Sequence, residues 1–324
     1  VTGEGQWRDL AVRAWDPIRN MWNRFSPAEQ TGGVNGLGAL IYGASVMSHL
    51  LQDVSLLDLA EDITHSIDRG TLVSSRSFGV LDGSAGLLLS LLGLYDQRPS
   101  QAVLERAEWC AEHLMDHLEA KDGKGAGSGP SMTGFAHGAA GMAYALARLG
   151  ATSQNDRMIE AASQAIAYED GQHTPSGDWV NHHNSLCAWC QGAAGVALSR
   201  LATLPVLKRH DDADIHHAME EILSRPSTCL DVLCCGNMGR ALILHTTGQR
   251  LENDVYLTES RRLAGQIIVH ERITGYHLVG PGADHHFRAG LFQGLAGIGY
   301  GFLRLAAPRI VPNVLLWETA PTNP

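Results

Sequence analysis

No run of lysines and arginines occurs in the 324 residues, and the formal charge is −10. A chain of that sign lacks the electrostatic footprint that a phosphate backbone requires, so nucleic acid is excluded as a partner class. Long apolar runs are also missing. The densest, 87–94, contains Ser90 and Gly93 and falls far short of the ~18 residues of a membrane span, so no membrane association is expected. The first residues, Val1-Thr2-Gly3-Glu4-Gly5-Gln6-Trp7, have neither the basic nor the apolar segment of a secretory signal. A cytoplasmic location is expected. There is no initiating methionine, so the expectation is a single domain, residues 1–324, excised from a larger protein. Cysteine is sparse at six residues, and a chain this long without a secretion signal does not call for a disulfide framework. Metal binding or thiol chemistry is the better reading of those cysteines.

Glycine, by contrast, is abundant: 36 residues against only 12 prolines, about half as much again as the usual ~7%. That balance does not describe a linker. The glycines recur in one setting: Gly33-x-x-Gly36, Gly83-x-x-Gly86, Gly138-x-x-Gly141, Gly192-x-x-Gly195, Gly236-x-x-Gly239 and Gly294-x-x-Gly297, with first glycines 50, 55, 54, 44 and 58 residues apart. An apolar run of helical length follows each pair, and between the pairs lie amphipathic segments such as 102–118, 157–168 and 258–270. A period of this size marks a repeat architecture. Glycines three apart share a helix face, which lets helix backbones approach closely. The predicted fold is therefore all-α, an α/α toroid of about six or seven helix-pair repeats with the glycine pairs on its inner helices. An open α-solenoid is the alternative. A seventh, degenerate unit would lie near the N-terminus. Segments 121–133 and 275–290 are read as loops.

The repeat supplies a register. The residues just ahead of the glycine pairs are Gly32, Asp82, His137, Gln191, Cys235 and Gln293, with Cys190 and Cys234 one step further back. In a toroid these positions converge at one mouth, at helix N-termini, where thiolates are favoured. Cys190, Cys234 and Cys235 are thus the candidate metal ligands. Three soft thiolates suit zinc and leave one position of a tetrahedral site open, the pattern of a catalytic centre. His137 and Asp82 are the candidate catalytic residues, although Asp82 reads equally well as a helix N-cap. Cys110 and Cys229 are expected in the core, and Cys187 lies outside the register. Of the paired histidines, 216–217 are expected to be solvated, while 182–183 and 285–286 fall in loops.

Taken together, Gly134-Phe-Ala-His137-Gly138-Ala-Ala-Gly141, Trp189-Cys190-Gln191-Gly192, Cys234-Cys235-Gly236-Asn237 and Gln293-Gly294-Leu-Ala-Gly297-Ile-Gly299-Tyr300 resemble the lanthionine synthetase C-like cyclases. The flanks are most similar to the C-terminal cyclase domain of a class II lanthipeptide synthetase. The resemblance implies zinc at Cys190 and Cys234, a proton-transferring histidine at His137, a dehydrated precursor peptide as substrate and a dehydratase domain as partner. This chain departs from the family in having Cys235 where most members have histidine, a variant resembling the prochlorosin-type synthetases. It also has Gly79 where the family has an aspartate, and Leu186 near the place of a family arginine.

The implied chemistry is a Michael-type addition of a peptide thiolate to dehydroalanine or dehydrobutyrine, giving a lanthionine or methyllanthionine ring. A third thiolate in place of imidazole adds negative charge and should make the reacting sulfur more nucleophilic. Three other readings stand beside it. A prenyltransferase-like zinc barrel needs an aromatic pocket, and aromatics are only 6%. A carbohydrate-active barrel needs paired carboxylates. A zinc-stabilised peptide-binding scaffold would need no turnover.

Overall fold

The computed structural model describes residues 3–24, 31–119, 133–172, 179, 187–207, 212–280 and 287–320. Within them the regular structure is helical. Helix α1 (Gly5–Arg19) is followed by α2 (Leu37–Leu51), α3 (Ser55–His65), α4 (Arg69–Ser74), α5 (Ser84–Gln97), α6 (Gln101–Glu119), α7 (Ala139–Ser153), α8 (Asp156–Asp170), α9 (Ala193–Leu207), α10 (Ala213–Ser224), α11 (Asn237–Arg250), α12 (Asp254–Thr274) and α13 (Leu295–Ala306). Helices α2, α5, α7, α9, α11 and α13 carry the glycine pairs, as the repeat predicts. The place reserved for a seventh unit holds the single helix α1, which has no buried residue.

The two kinds of helix differ as their sequences do. From Ser84 to Leu94 every residue of α5 is buried, and α9 and α11 are nearly as enclosed. Helix α6 buries only one stripe, including Val103, Ala107, Cys110, Leu114 and Leu118, the pattern of a helix with one face to solvent. Pairs α2–α3, α5–α6, α9–α10 and α11–α12 pack against each other.

The chain forms two compact units. The first comprises residues 1–130, 141–166 and 312–321, and the second residues 131–140, 167–311 and 322–324. An irregular C-terminal segment completes the core of the first unit. Trp317 is almost fully buried and donates from Nε1 to Ser90 Oγ (3.1 Å). Tyr42 and Tyr144 donate their hydroxyls to the carbonyls of Glu318 (2.7 Å) and Leu316 (2.9 Å).

The glycines do a different job from the one the helix-packing argument gave them. A Cβ at Gly86 would stand 1.8 Å from the Val80 carbonyl oxygen, and the corresponding atoms are Trp189 O for Gly195 (2.2 Å), Leu233 O for Gly239 (2.1 Å) and Leu291 O for Gly297 (1.7 Å). The obstacle each time is the carbonyl six residues earlier in the same chain, not a neighbouring helix. The loop folds back over the first turn and uses its carbonyls to satisfy the helix's orphan amides. Ser84 N donates to Ser77 O (3.2 Å), Gly195 N to Ala188 O (3.1 Å), Asn237 N to Leu230 O (2.9 Å) and Leu295 N to Arg288 O (2.9 Å), in each case seven residues back. The first repeat is shifted. Its extended cap glycine is Gly36 (φ −148°, ψ −164°), matching Gly83 (φ −131°, ψ −170°), and its close contact is Gly38 against Gly32 O (2.3 Å). Asn35, not Gly32, therefore precedes the first cap.

Candidate functional site

The turns ahead of the helices are joined by like backbone hydrogen bonds. In the first unit Gly33 N donates to Val80 O and Val34 N to Leu81 O, both at 3.0 Å. In the second, Phe135 N donates to Trp189 O (3.1 Å) and Cys234 N to Phe292 O (2.9 Å). Counted from the cap glycines, each pair joins equivalent positions of two turns. In all six turns the cap glycine is buried while the residue before it (Asn35, Asp82, His137, Gln191, Cys235, Gln293) is half-buried or exposed.

Four of the five predicted site residues, His137, Cys190, Cys234 and Cys235, lie in the second unit. The turn bearing His137 is bonded to the turn bearing Cys190, as above, and their aromatic residues reinforce the bond. Trp189, fully buried, stacks on Phe135 with centroids 5.6 Å apart and on Phe292 at 5.0 Å. The Trp of the Trp-Cys motif thus ties together the turns ahead of α7, α9 and α13.

The thiols of Cys190, Cys234 and Cys235 meet in one cluster with mutual side-chain hydrogen bonds. Cys190 and Cys234 are buried and Cys235 is half-buried. Their acidities divide sharply. Hydrogen bonds from the Cys190 and Cys234 thiols to Cys235 pull it down to about 3. Its hydrogen bonds to Cys190 and Cys235 push Cys234 far up, and burial adds to them. Cys190 is drawn down by its bond to Cys234, but its bond to Cys235 and burial outweigh that and leave it at about 12. The soft, clustered sulfurs fit a zinc ion.

The remaining candidates separate. Asp82 is exposed on the turn ahead of α5 in the first unit. The N-cap residue of α5 is Gly83, so Asp82 stands one position ahead of the cap. Cys110 is buried as expected, and burial raises its thiol. Cys187 is also buried and raised to about 11, chiefly by burial. Cys229 is exposed, contrary to expectation, because the segment between Arg225 and Leu230 runs along the surface. His216 is half-exposed and bonded to Tyr256 (3.0 Å) and Asp212 (3.2 Å). Residues 121–132, 182–183, 186 and 281–286 lie outside the described residues.

Two buried carboxylates brace the site, and the repeat register gave no hint of either. Glu169, on α8, is fully buried and its Oε1 accepts from Gly134 N (2.9 Å) and Ala140 N (3.3 Å), three residues on either side of His137. Its other oxygen pairs at 3.2 Å with the equally buried Arg200 on α9, which also bonds Asp170 (2.8 Å). Burial pushes the Glu169 carboxyl above the usual range, against Arg200 and the two amides. Asp231, three residues before Cys234, is also fully buried. It accepts from Asn237 Nδ2 (3.2 Å), His277 N (3.0 Å) and His270 Nδ1 (2.9 Å). Asn237 is fixed in turn by Thr228, whose amide it accepts at 2.8 Å, which gives the residue after the Cys-Cys-Gly motif its task. A lone acid carries little sequence signal when most of its partners lie 29 to 46 residues away.

A family model described as lanthionine synthetase C-like protein matches residues 1–316. Among solved structures, nisin cyclase is similar with a TM-score of 0.63 at 14% identity, covering 92% of this chain and 82% of that one. This is the fold class expected from the repeat. A search of curated proteins gives no match. Among the described residues no helix is long and apolar enough to cross a membrane.

Proposed function

The chain belongs to the lanthionine synthetase C-like family, and we propose that it is a zinc-dependent cyclase, one domain over residues 1–324, forming lanthionine and methyllanthionine rings in a dehydrated precursor peptide. One observation carries the reading: thiols from two turns 44 residues apart in sequence meet in a single cluster.

Cys190, Cys234 and Cys235 would hold the ion. Zinc bound there supplies a Lewis acid that keeps a substrate thiol deprotonated. The substrate sulfur then bonds to the β-carbon of the dehydro residue, and the α-carbon takes up one proton. His137, on a turn anchored at both ends by Glu169, is assigned to deliver that proton, a task for which an imidazole can serve as general acid. Asp82 holds the equivalent turn position ahead of α5 and is the second acid–base candidate. A dehydratase must act before this step, and the proposal places it in the same larger synthetase, in the cytoplasm.

Ring closure leaves peptide mass unchanged but removes free thiols, so a thiol-alkylating reagent followed by mass spectrometry reads it directly. Wild type should protect a dehydrated, cysteine-containing peptide from alkylation. His137→Asn should slow that protection by roughly 10²–10⁴-fold with zinc retained. A folded, zinc-loaded wild type that left every thiol open to alkylation would leave the scaffold reading standing instead.

A further inference from the structure

We propose that Asp231, His270 and His277 form a second divalent-cation site, separate from the thiol cluster and selective for ions of the zinc, nickel and cobalt class. One possible ligand atom from each residue lies within 4.8 Å of the other two. The three come from different elements: the turn carrying Cys234-Cys235, the last turn of α12, and the segment just after α12.

The carboxylate is in place before any ion arrives, and the two rings stand beside it. The Asp231 carboxylate is fully buried and its position is fixed by Asn237 Nδ2 and the His277 amide. The two imidazoles lie face to face, with centroids 4.7 Å apart and planes 21° from parallel. The His270 side chain is 28% exposed, which gives an ion a way in. His277 is held through Nε2 by Thr274 Oγ1 (2.8 Å), the kind of outer hydrogen bond that fixes a ligating ring. Donors on a tetrahedral ion with bonds of 2.0–2.1 Å stand about 3.3 Å apart. The present 2.9 Å between His270 Nδ1 and Asp231 Oδ1 need open by only a few tenths of an ångström. Neutral His270 then carries its proton on Nε2, so the exchange needs no other reactant.

Two imidazoles and one carboxylate choose the ion. Calcium and magnesium prefer more oxygen donors, and this set suits borderline transition ions with water completing the shell. Bound there, an ion would fasten the end of α12 to the turn that presents Cys234 and Cys235.

Metal content after equilibration with zinc, followed by cobalt substitution, tests the assignment. Wild type should hold about two equivalents. The double variant His270→Gln/His277→Asn, checked for native helicity, should hold about one. That one should show the intense near-ultraviolet charge-transfer bands of cobalt–thiolate coordination. Cys190→Ala should lose those bands and keep the weaker visible bands of a nitrogen–oxygen site. A wild type that takes up a single equivalent with the thiolate signature would overturn the proposal, as would a double variant that binds as much metal as wild type. A single equivalent lacking the thiolate signature, and lost in the double variant, would support this site while contradicting the zinc reading of the cysteines.

Discussion

The turns ahead of α2 and α5 in the first unit and those ahead of α7, α9, α11 and α13 in the second share a buried cap glycine and differ in what they carry beside it. Both sets show a buried cap glycine, a second glycine pressed against a carbonyl or a close equivalent of it, and backbone hydrogen bonds between equivalent turn positions. In the first unit the position before the cap holds Asn35 and Asp82, both exposed, with Val34 and Leu81 behind them. In the second it holds His137, Gln191, Cys235 and Gln293, with Cys190 and Cys234 one residue further back ahead of α9 and α11. The device that makes the fold is therefore distinct from the residues proposed to do the chemistry. The glycines are shared because the loop must fold back; the side chains beside them are free to differ.

Substitutions at the shared glycines test the first half of that comparison and should have the largest effect. Gly86→Ala and Gly239→Ala put a methyl about 2 Å from a carbonyl oxygen, at 1.8 and 2.1 Å, and only backbone movement can relieve the contact. Each should cost at least about 4 kcal/mol, the range reserved for severe core disruption, in one unit as much as in the other. Gly299→Ala, in α13 with nothing within 4 Å of the added carbon, should raise stability by about 0.5–1 kcal/mol. Thermal unfolding of the three variants checks this, and equal losses at all three sites would break the loop explanation.

In the second unit a buried ion pair, Glu169 with Arg200, lies beneath the turn that bears His137, which gives a smaller and more specific effect. Glu169→Gln keeps an acceptor for Gly134 and Ala140 but removes the charge facing Arg200. Asp170 still bonds that guanidinium at 2.8 Å, so the loss should be about 2 kcal/mol rather than the ~3–5 kcal/mol of an orphaned buried charge. Glu169→Ala also removes the anchor of the His137 turn. It should lower the rate of ring closure by up to about 10²-fold while zinc content stays at the wild-type level. Loss of zinc in the same variant would show that the pair acts on the whole unit and not on His137.

The smallest effect is a pH dependence drawn from one histidine in each unit. His113 and His245 are both held below the ordinary 6.5 by burial. The unfolded chain takes up these protons more readily than the folded one, so stability rises with pH through the ordinary histidine range and is lost as pH falls below it. Each contributes a slope of at most about 1.4 kcal/mol per pH unit. Melting at pH 5.5 and 7.5 should show that loss, and His113→Gln should flatten part of it.

Much of this was legible in the residues. A 44–58-residue glycine period announces helix pairs, and the residues just ahead of the cap glycines are the ones the fold leaves less than fully buried. The physical purpose of the glycines was not legible, because a carbonyl six residues upstream is not visible in a helix-face argument. Nor was the shift of the first cap to Gly36, since Gly33, Gly36 and Gly38 offer two overlapping spacings. The bracing acids escaped for another reason: only the fold brings Glu169 and Asp231 to Gly134, Ala140, His270 and His277. The acidity of the cysteines likewise depends on which sulfurs meet, which no linear pattern states.

The central claim is that Cys190 and the Cys234–Cys235 pair, from different turns, make one metal centre. Cobalt substitution of wild type, Cys190→Ala and Cys234→Ala tests it most directly. The account predicts about one cobalt–thiolate centre per wild-type chain, absent from both variants while helicity is unchanged. No thiolate-bound metal in well-folded wild type, or the same centre retained in both variants, would contradict it.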